Sequence, residues 1–147
     1  MKKVLFAAAC LSIFSTACEP DDPILPDAVR FSLAATSVSN LGRASSPEVD
    51  AKIKFYNLEN KVINIKWQRY DVVVPADWQV ATCDNNQCWV PAIAEQLMTI
   101  PANDSFDMKL VVYPNGVVGT GTAKFRMYDP TDSARTVQSV LYTIETN

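Results

Sequence analysis

Ile63-Asn64-Ile65-Lys66-Trp67-Gln68 alternates apolar and polar side chains without a break. Successive side chains of a strand point to opposite faces, so Ile63, Ile65 and Trp67 share one face while Asn64, Lys66 and Gln68 share the other. A helix of the same sequence would spread the three large side chains around its circumference. The segment therefore reads as a strand with one buried face, and such a face needs a second layer to cover it.

The same two-residue period recurs on both sides. Upstream, Val49, Ala51, Ile53 and Phe55 alternate with polar neighbours, and Asn57-Leu58-Glu59-Asn60 reads as a turn. The segments 49–55 and 63–67 are expected to pair as an antiparallel hairpin. Phe31 to Ser37 forms a first strand before the polar loop Ser39 to Pro47. Downstream, Val72 to Val74 is a short apolar run closed by Pro75, and Trp78 to Thr82 leads into Cys83-Asp84-Asn85-Asn86-Gln87-Cys88. Leu97 to Ile100 forms a short strand, and Phe106, Met108, Leu110 and Val112 alternate up to the turn signal Pro114-Asn115-Gly116, with positive φ expected at the glycine. Ala123, Phe125 and Met127 share one face, and Val140, Tyr142 and Ile144 face inward on the last strand. Ala92 to Met98 is the one stretch with helical character, and it is too short to hold as a helix by itself.

Seven or eight short strands joined by turns, with hardly any helix, indicate an all-β antiparallel sandwich over residues 30–147, of immunoglobulin-like type. Trp67 resembles the core tryptophan of that fold. No cysteine lies on the second strand, so the usual bridge between sheets is missing, and inward side chains must supply the cohesion at about 25 cal/mol per Å² of apolar area buried.

The first 17 residues read as an export signal. Lys2 and Lys3 form a positive start, Val4 to Phe14 an apolar run too short to span a bilayer, and Ser15-Thr16-Ala17 a small-residue end. The end Ser15-Thr16-Ala17-Cys18 resembles the lipobox of bacterial lipoproteins, which implies lipidation of Cys18 and attachment to the membrane through that anchor. The lipobox has Leu where this chain has Ser15, and plain signal-peptidase cleavage after Ala17 is the rival reading. Residues 18–29, which include Glu19-Pro20-Asp21-Asp22-Pro23, form an acidic proline-rich tether. Acidic residues directly after a lipidated cysteine resemble the surface-export signal of Bacteroidota lipoproteins; a generic solvated spacer is the alternative.

Removing residues 1–17 takes two of the 13 basic residues and none of the 16 acidic ones, which leaves 11 against 16. A modest negative charge with no basic cluster argues against nucleic acid as a partner. Histidine is absent. Ser-His-Asp and Cys-His nucleophile systems and imidazole-bound zinc or copper are thereby excluded, and no cofactor, metal site or catalytic residue is expected.

After cleavage two cysteines remain, Cys83 and Cys88, and in an exported protein they are expected to join. So small a ring stabilises by about 2 kcal/mol. Its spacing is not the Cys-x-x-Cys of redox centres. Trp78 and Trp89 flank this loop and are candidates for an aromatic platform that stacks on sugar rings; capping of the sandwich core is the other reading. Asp84 and Asp107 are best read as solvated turn carboxylates, because the loop lacks the spacing of a calcium site.

The run Trp67, Pro75-Ala76-Asp77-Trp78, Cys83 to Cys88, Tyr113-Pro114-Asn115-Gly116 and Gly119-Thr120-Gly121-Thr122 resembles the immunoglobulin-like modules of secreted and surface proteins of Bacteroidota. The resemblance implies a non-enzymatic module of the outer membrane, on its periplasmic or cell-surface face, with a structural or protein-interaction role. A carbohydrate-binding surface lipoprotein is the competing function, so an envelope protein or a glycan is the expected partner. Asp132-Ser133-Ala134 matches the Bacteroidota O-glycosylation sequon and makes Ser133 a candidate acceptor.

Overall fold

A computed structural model describes residues 30–147. The export signal 1–17, Cys18 and the tether 18–29 lie outside the described residues.

Ten strands make two five-stranded sheets among the described residues. In chain order they are β1 (Phe31–Leu33), β2 (Ser37–Gly42), β3 (Val49–Asn57), β4 (Ile63–Val73), β5 (Gln79–Cys83), β6 (Cys88–Trp89), β7 (Glu95–Ile100), β8 (Ser105–Tyr113), β9 (Gly119–Tyr128) and β10 (Gln138–Thr146), with the short helix α1 (Ser133–Thr136) before the last strand. One sheet has the order β1-β3-β8-β5-β6 and the other β2-β10-β9-β4-β7. The expected all-β sandwich is therefore present, with three differences of detail.

The expected first strand is two strands. The chain leaves the first sheet where Ala34 N–H donates to Lys54 O, and joins the second where Thr36 O accepts from Leu141 N–H. It then runs parallel to β10 as β2, so the sandwich is not wholly antiparallel. The Gln138 side chain fixes this crossing, with its Nε2 donating to Phe31 O at 2.6 Å.

The second difference is the expected hairpin of 49–55 with 63–67, which does not form. β3 pairs with β1 and β8, whereas β4 pairs with β9 and β7 in the other sheet. The side chain of Asn57 carries the chain over: its Nδ2 donates to Lys61 O at 3.0 Å and to Pro101 O at 2.7 Å, and its Oδ1 accepts from Glu59 N–H at 2.9 Å. Alternation reveals which face of a strand is buried, but not which strand lies beside it. Third, the expected strand at Leu97 to Ile100 is present as β7 but begins at Glu95, so the helical turn expected over Ala92 to Met98 does not form, and the one short helix among the described residues lies at Ser133–Thr136.

The core is built where the alternation placed it. Phe31, Phe55 and Phe106 stack across the first sheet at 5.1 and 5.0 Å, and Phe125 meets Trp67 and Tyr142 across the second at 6.1 and 4.9 Å. Tyr142 also reaches between sheets to donate to Met108 O at 3.0 Å, and burial pushes its pKa up.

The Pro75 to Trp78 and Gly119 to Thr122 motifs explain one another. A Cβ on Gly121 would lie 2.8 Å from the Trp78 ring and 2.9 Å from Val74, and one on Gly119 would lie 2.8 Å from Pro75. Strand β9 thus needs glycine here so that the Trp78 ring can lie flat on its backbone. Gly121→Val is expected to cost about 1–3 kcal/mol in urea unfolding through overpacking. An unchanged midpoint would show that Trp78 is free to move aside. At the other turn, Asn115 and Gly116 have φ of 53° and 82°, and Val117 N–H closes on Pro114 O at 2.9 Å. Gly116 thus has the positive φ that the turn signal implied.

Candidate functional site

Continuing the period of β4 past Trp67 puts Arg69 on the inner face. Across the gap, β5 turns Val80 and Thr82 inward, and Asp84 follows at the next inward position. These residues meet in a polar clasp between the sheets.

Asp84 is its centre. Its Oδ2 accepts the indole N–H of Trp67 at 2.9 Å and that of Trp89 at 2.7 Å, while Oδ1 accepts the backbone N–H groups of Asn86 and Gln87 at 2.9 and 3.2 Å. A carboxylate only accepts and an indole only donates, so the arrangement satisfies every group in it. Trp67 belongs to one sheet and Trp89 to the other. One buried side chain therefore ties both sheets and the Asn85-Asn86 loop together.

Arg69 is the second half. Its guanidinium donates to Thr82 Oγ1 at 2.9 Å and Pro91 O at 2.6 Å, with longer contacts to Val80 O at 3.4 Å and Ile93 O at 3.3 Å. Only 7% of the residue is exposed, and burial lowers its pKa from the usual value. A guanidinium stays protonated all the same. The N–H groups of its two terminal nitrogens are spent on three carbonyls and a hydroxyl, a use suited to bracing a loop.

Cys83 and Cys88 form the expected disulfide. Asp84 N–H donates to Gln87 O at 3.0 Å, which makes 83 and 88 the adjacent pair without ladder hydrogen bonds, where strands approach closely. Their Cα atoms are 3.9 Å apart. Cys83 sits with Ala81, Val111 and Tyr113 in a small apolar cluster, and Cys88 is exposed. The bridge closes the same six-residue loop that presents Asp84 to the two indoles.

The other expected site residues are dispersed. Trp78 lies before the opposite end of β5 from the residue that pairs with Trp89, about 13 Å along the strand. Trp78 is 5% exposed, and its indole N–H donates to Val117 O at 3.0 Å. Trp89 is half-buried against the core. The two rings are not brought together into a platform, because each is held by its own internal acceptor. Asp84 is buried, not solvated, and Asp107 lies within β8, 3.8 Å from Lys52 and 3.6 Å from Lys54. Among the described residues no group of three or more Cys, Asp or Glu is placed to hold a metal ion. Ser133 is exposed at the first position of α1, beside an Asp132–Arg135 ion pair of 2.8 Å.

Asp129 was not singled out by the sequence, yet its side chain is buried. Burial raises its pKa, but the Thr131 hydroxyl and N–H, at 2.6 and 2.8 Å, together with the Arg30 guanidinium, outweigh burial and hold the carboxyl below its ordinary value. A lowered folded pKa stabilises above the unfolded value of about 3.9 and loses that stabilisation as pH falls through the folded value. Wild-type stability is therefore expected to fall below about pH 4, and Asp129→Asn to flatten that part of the acid-unfolding curve. Parallel acid curves for the two proteins would contradict this.

No known family's sequence profile matches the chain, and no curated protein matches it in sequence. Solved structures do. The N-terminal domain of PorA superposes with a TM-score of 0.54 at 14% identity, over 76% of this chain and 85% of that one. A PapD-like domain of human CEP192 gives 0.47 at 10% identity over 95% and 98%, and the YadV chaperone gives 0.46 at 10% over 80% and 52%. At 14% identity the likeness to the PorA domain concerns fold alone, and it agrees with the topology above: the chain is a two-sheet β-sandwich of immunoglobulin-like kind.

Proposed function

We propose that this chain is a non-enzymatic module of the bacterial outer membrane, anchored through lipid on Cys18, with a structural or protein-interaction role. The observation that carries this reading is the destination of its buried polar groups. Asp84, Arg69, Asn57, Asp129 and Tyr142 are each engaged by the protein's own backbone and side chains; the contacts of Asp84, Arg69, Asn57 and Tyr142 join one sheet to the other, and that of Asp129 with Thr131 braces the loop after β9. Side chains that work on a substrate are instead held with unspent donors or acceptors aimed at an open cleft. The export signal, the lipobox-like end and the disulfide all fit an envelope setting.

The anchor is the testable part. Two or three long acyl chains hold a protein firmly, since each buried methylene contributes about 0.8 kcal/mol. Labelled palmitate is expected in the wild-type protein and absent from Cys18→Ala, which should also leave the membrane fraction. Equal labelling of both would end the lipoprotein reading.

A further inference from the structure

Arg126 stands exposed on the outer face of β9, between two lysines of that face that are already neutralised. Lys66 is paired with Glu95 at 2.7 Å and Lys124 with Asp71 at 3.1 Å. Among the described residues no carboxylate forms an ion pair with Arg126. Its Nε donates to Gln68 Oε1 at 2.6 Å, and its Cζ lies 6.0 and 5.8 Å from the ring centroids of Tyr70 and Tyr128. One donor is thus used to fix the guanidinium plane, and two aromatic rings help to hold it there. Its Nη N–H groups meet no acceptor among the described residues. Arg69 is the opposite case, buried with both terminal nitrogens engaged by the protein's own oxygens. Beside Arg126 lies an open groove of about 240 Å³, lined by Arg126, Tyr128, Ser133 and Val137.

We propose that this groove binds an acidic sugar, one uronic acid unit of a polysaccharide. The Nη groups of Arg126 fork onto its carboxylate, Tyr128 and Val137 cover the apolar side of its ring, and Ser133 Oγ hydrogen-bonds a ring hydroxyl. The end of a guanidinium presents two parallel N–H groups that match the two oxygens of a carboxylate, so such a ligand gains two charge-assisted bonds. Because Gln68 and the rings already hold the guanidinium, binding has little side-chain order left to impose. The volume lies below the roughly 300–1,000 Å³ of sites for drug-sized molecules, which fits a single sugar unit. Topology disfavours a peptide. Strand β9 lies between β10 and β4, so its backbone groups serve the two ladders and an extended chain finds no strand edge to join. Recognition is left to a cation, a hydroxyl and apolar ring surface, the groups that a charged sugar uses. This site goes beyond the structural role proposed above and does not rest on the lipid anchor.

The test is titration of the full chain in detergent with a galacturonic acid trimer, read from amide chemical shifts. Amides of residues 126–128 and 133–137 are expected to shift, with half-saturation at about 1 mM or below. A galactose trimer should bind at least about tenfold more weakly, and Arg126→Lys, which keeps the charge but not the fork, should lose about tenfold as well. Ser133→Ala, which leaves the guanidinium and its rings untouched, should weaken binding about threefold. Shifts elsewhere in the wild-type pattern verify that each variant is folded. No shifts in the wild type at about 10 mM trimer, equal binding of the neutral trimer, or undiminished binding in Arg126→Gln would overturn the site. A glutamate tripeptide that binds as tightly as the uronate trimer would also overturn the sugar and assign the cation to an acidic protein.

Discussion

Asp84→Ala is expected to lower the unfolding free energy by about 3–5 kcal/mol, because it leaves two indole N–H groups and two backbone N–H groups without their acceptor. For a domain of this size that corresponds to a drop in Tm of about 10 °C or more. The loss should have an optical signature. Trp89 is half-buried and its indole N–H donates to Asp84, so its emission should shift to the red as the ring loses this acceptor and gains water. Asp84→Asn keeps an oxygen for the loop but turns an amide N–H₂ toward both indoles, and an intermediate loss is expected. A Tm within about 2 °C of wild type for Asp84→Ala would mean that water replaces the carboxylate at little cost, and the clasp would not be holding the sheets.

Arg69→Ala should cost about 3–4 kcal/mol, for a different reason. The substitution removes an aliphatic stem packed between the sheets and strips the carbonyl of Pro91 and the Thr82 hydroxyl of their donor. Arg69→Met restores the stem but not the donors and should recover about half of the loss. Amide exchange separates the two contributions. Residues 91–94 should open faster in both variants, whereas β5 should open faster only in the alanine variant. If methionine proves as stable as arginine, the guanidinium is dispensable and its bonds merely offset the cost of burying it. Asp84 and Arg69 brace neighbouring inward positions around β5, so their combined substitution should depart from additivity.

How much of this was readable beforehand depends on the kind of residue. Ile65, Trp67, Phe125 and Tyr142 declared themselves by period, and each is fully buried. Arg69 carried the same signal: it follows Trp67 by two residues and so faces inward, and a charge at an inward position must find partners. What could not be read was their identity, since Thr82, Pro91 and Ile93 come from β5 and from the loop beyond β6. Asp84 shows the converse. Within Cys83-Asp84-Asn85-Asn86-Gln87-Cys88 it reads as an ordinary turn residue, and only the approach of two indoles from separate sheets turns it into a buried acceptor. The Cys83–Cys88 bridge needed no such help, because residues so near in sequence meet in nearly any compact arrangement of the loop.

The amino-acid sequence by itself determined the all-β class, the inward face of most strands, the disulfide and the turn at Gly116. These follow from side-chain alternation and from the φ preferences of a few residues, which act over short stretches of chain. Tertiary structure alone decided that β3 and β4 part company at Asn57, that the first strand splits across two sheets, that the Trp78 ring lies on Gly121, and that Trp67, Trp89 and Asp84 share one set of hydrogen bonds. Each of those depends on backbone donors, acceptors or open space contributed by segments far away in sequence, and local patterning carries no record of which distant segment arrives.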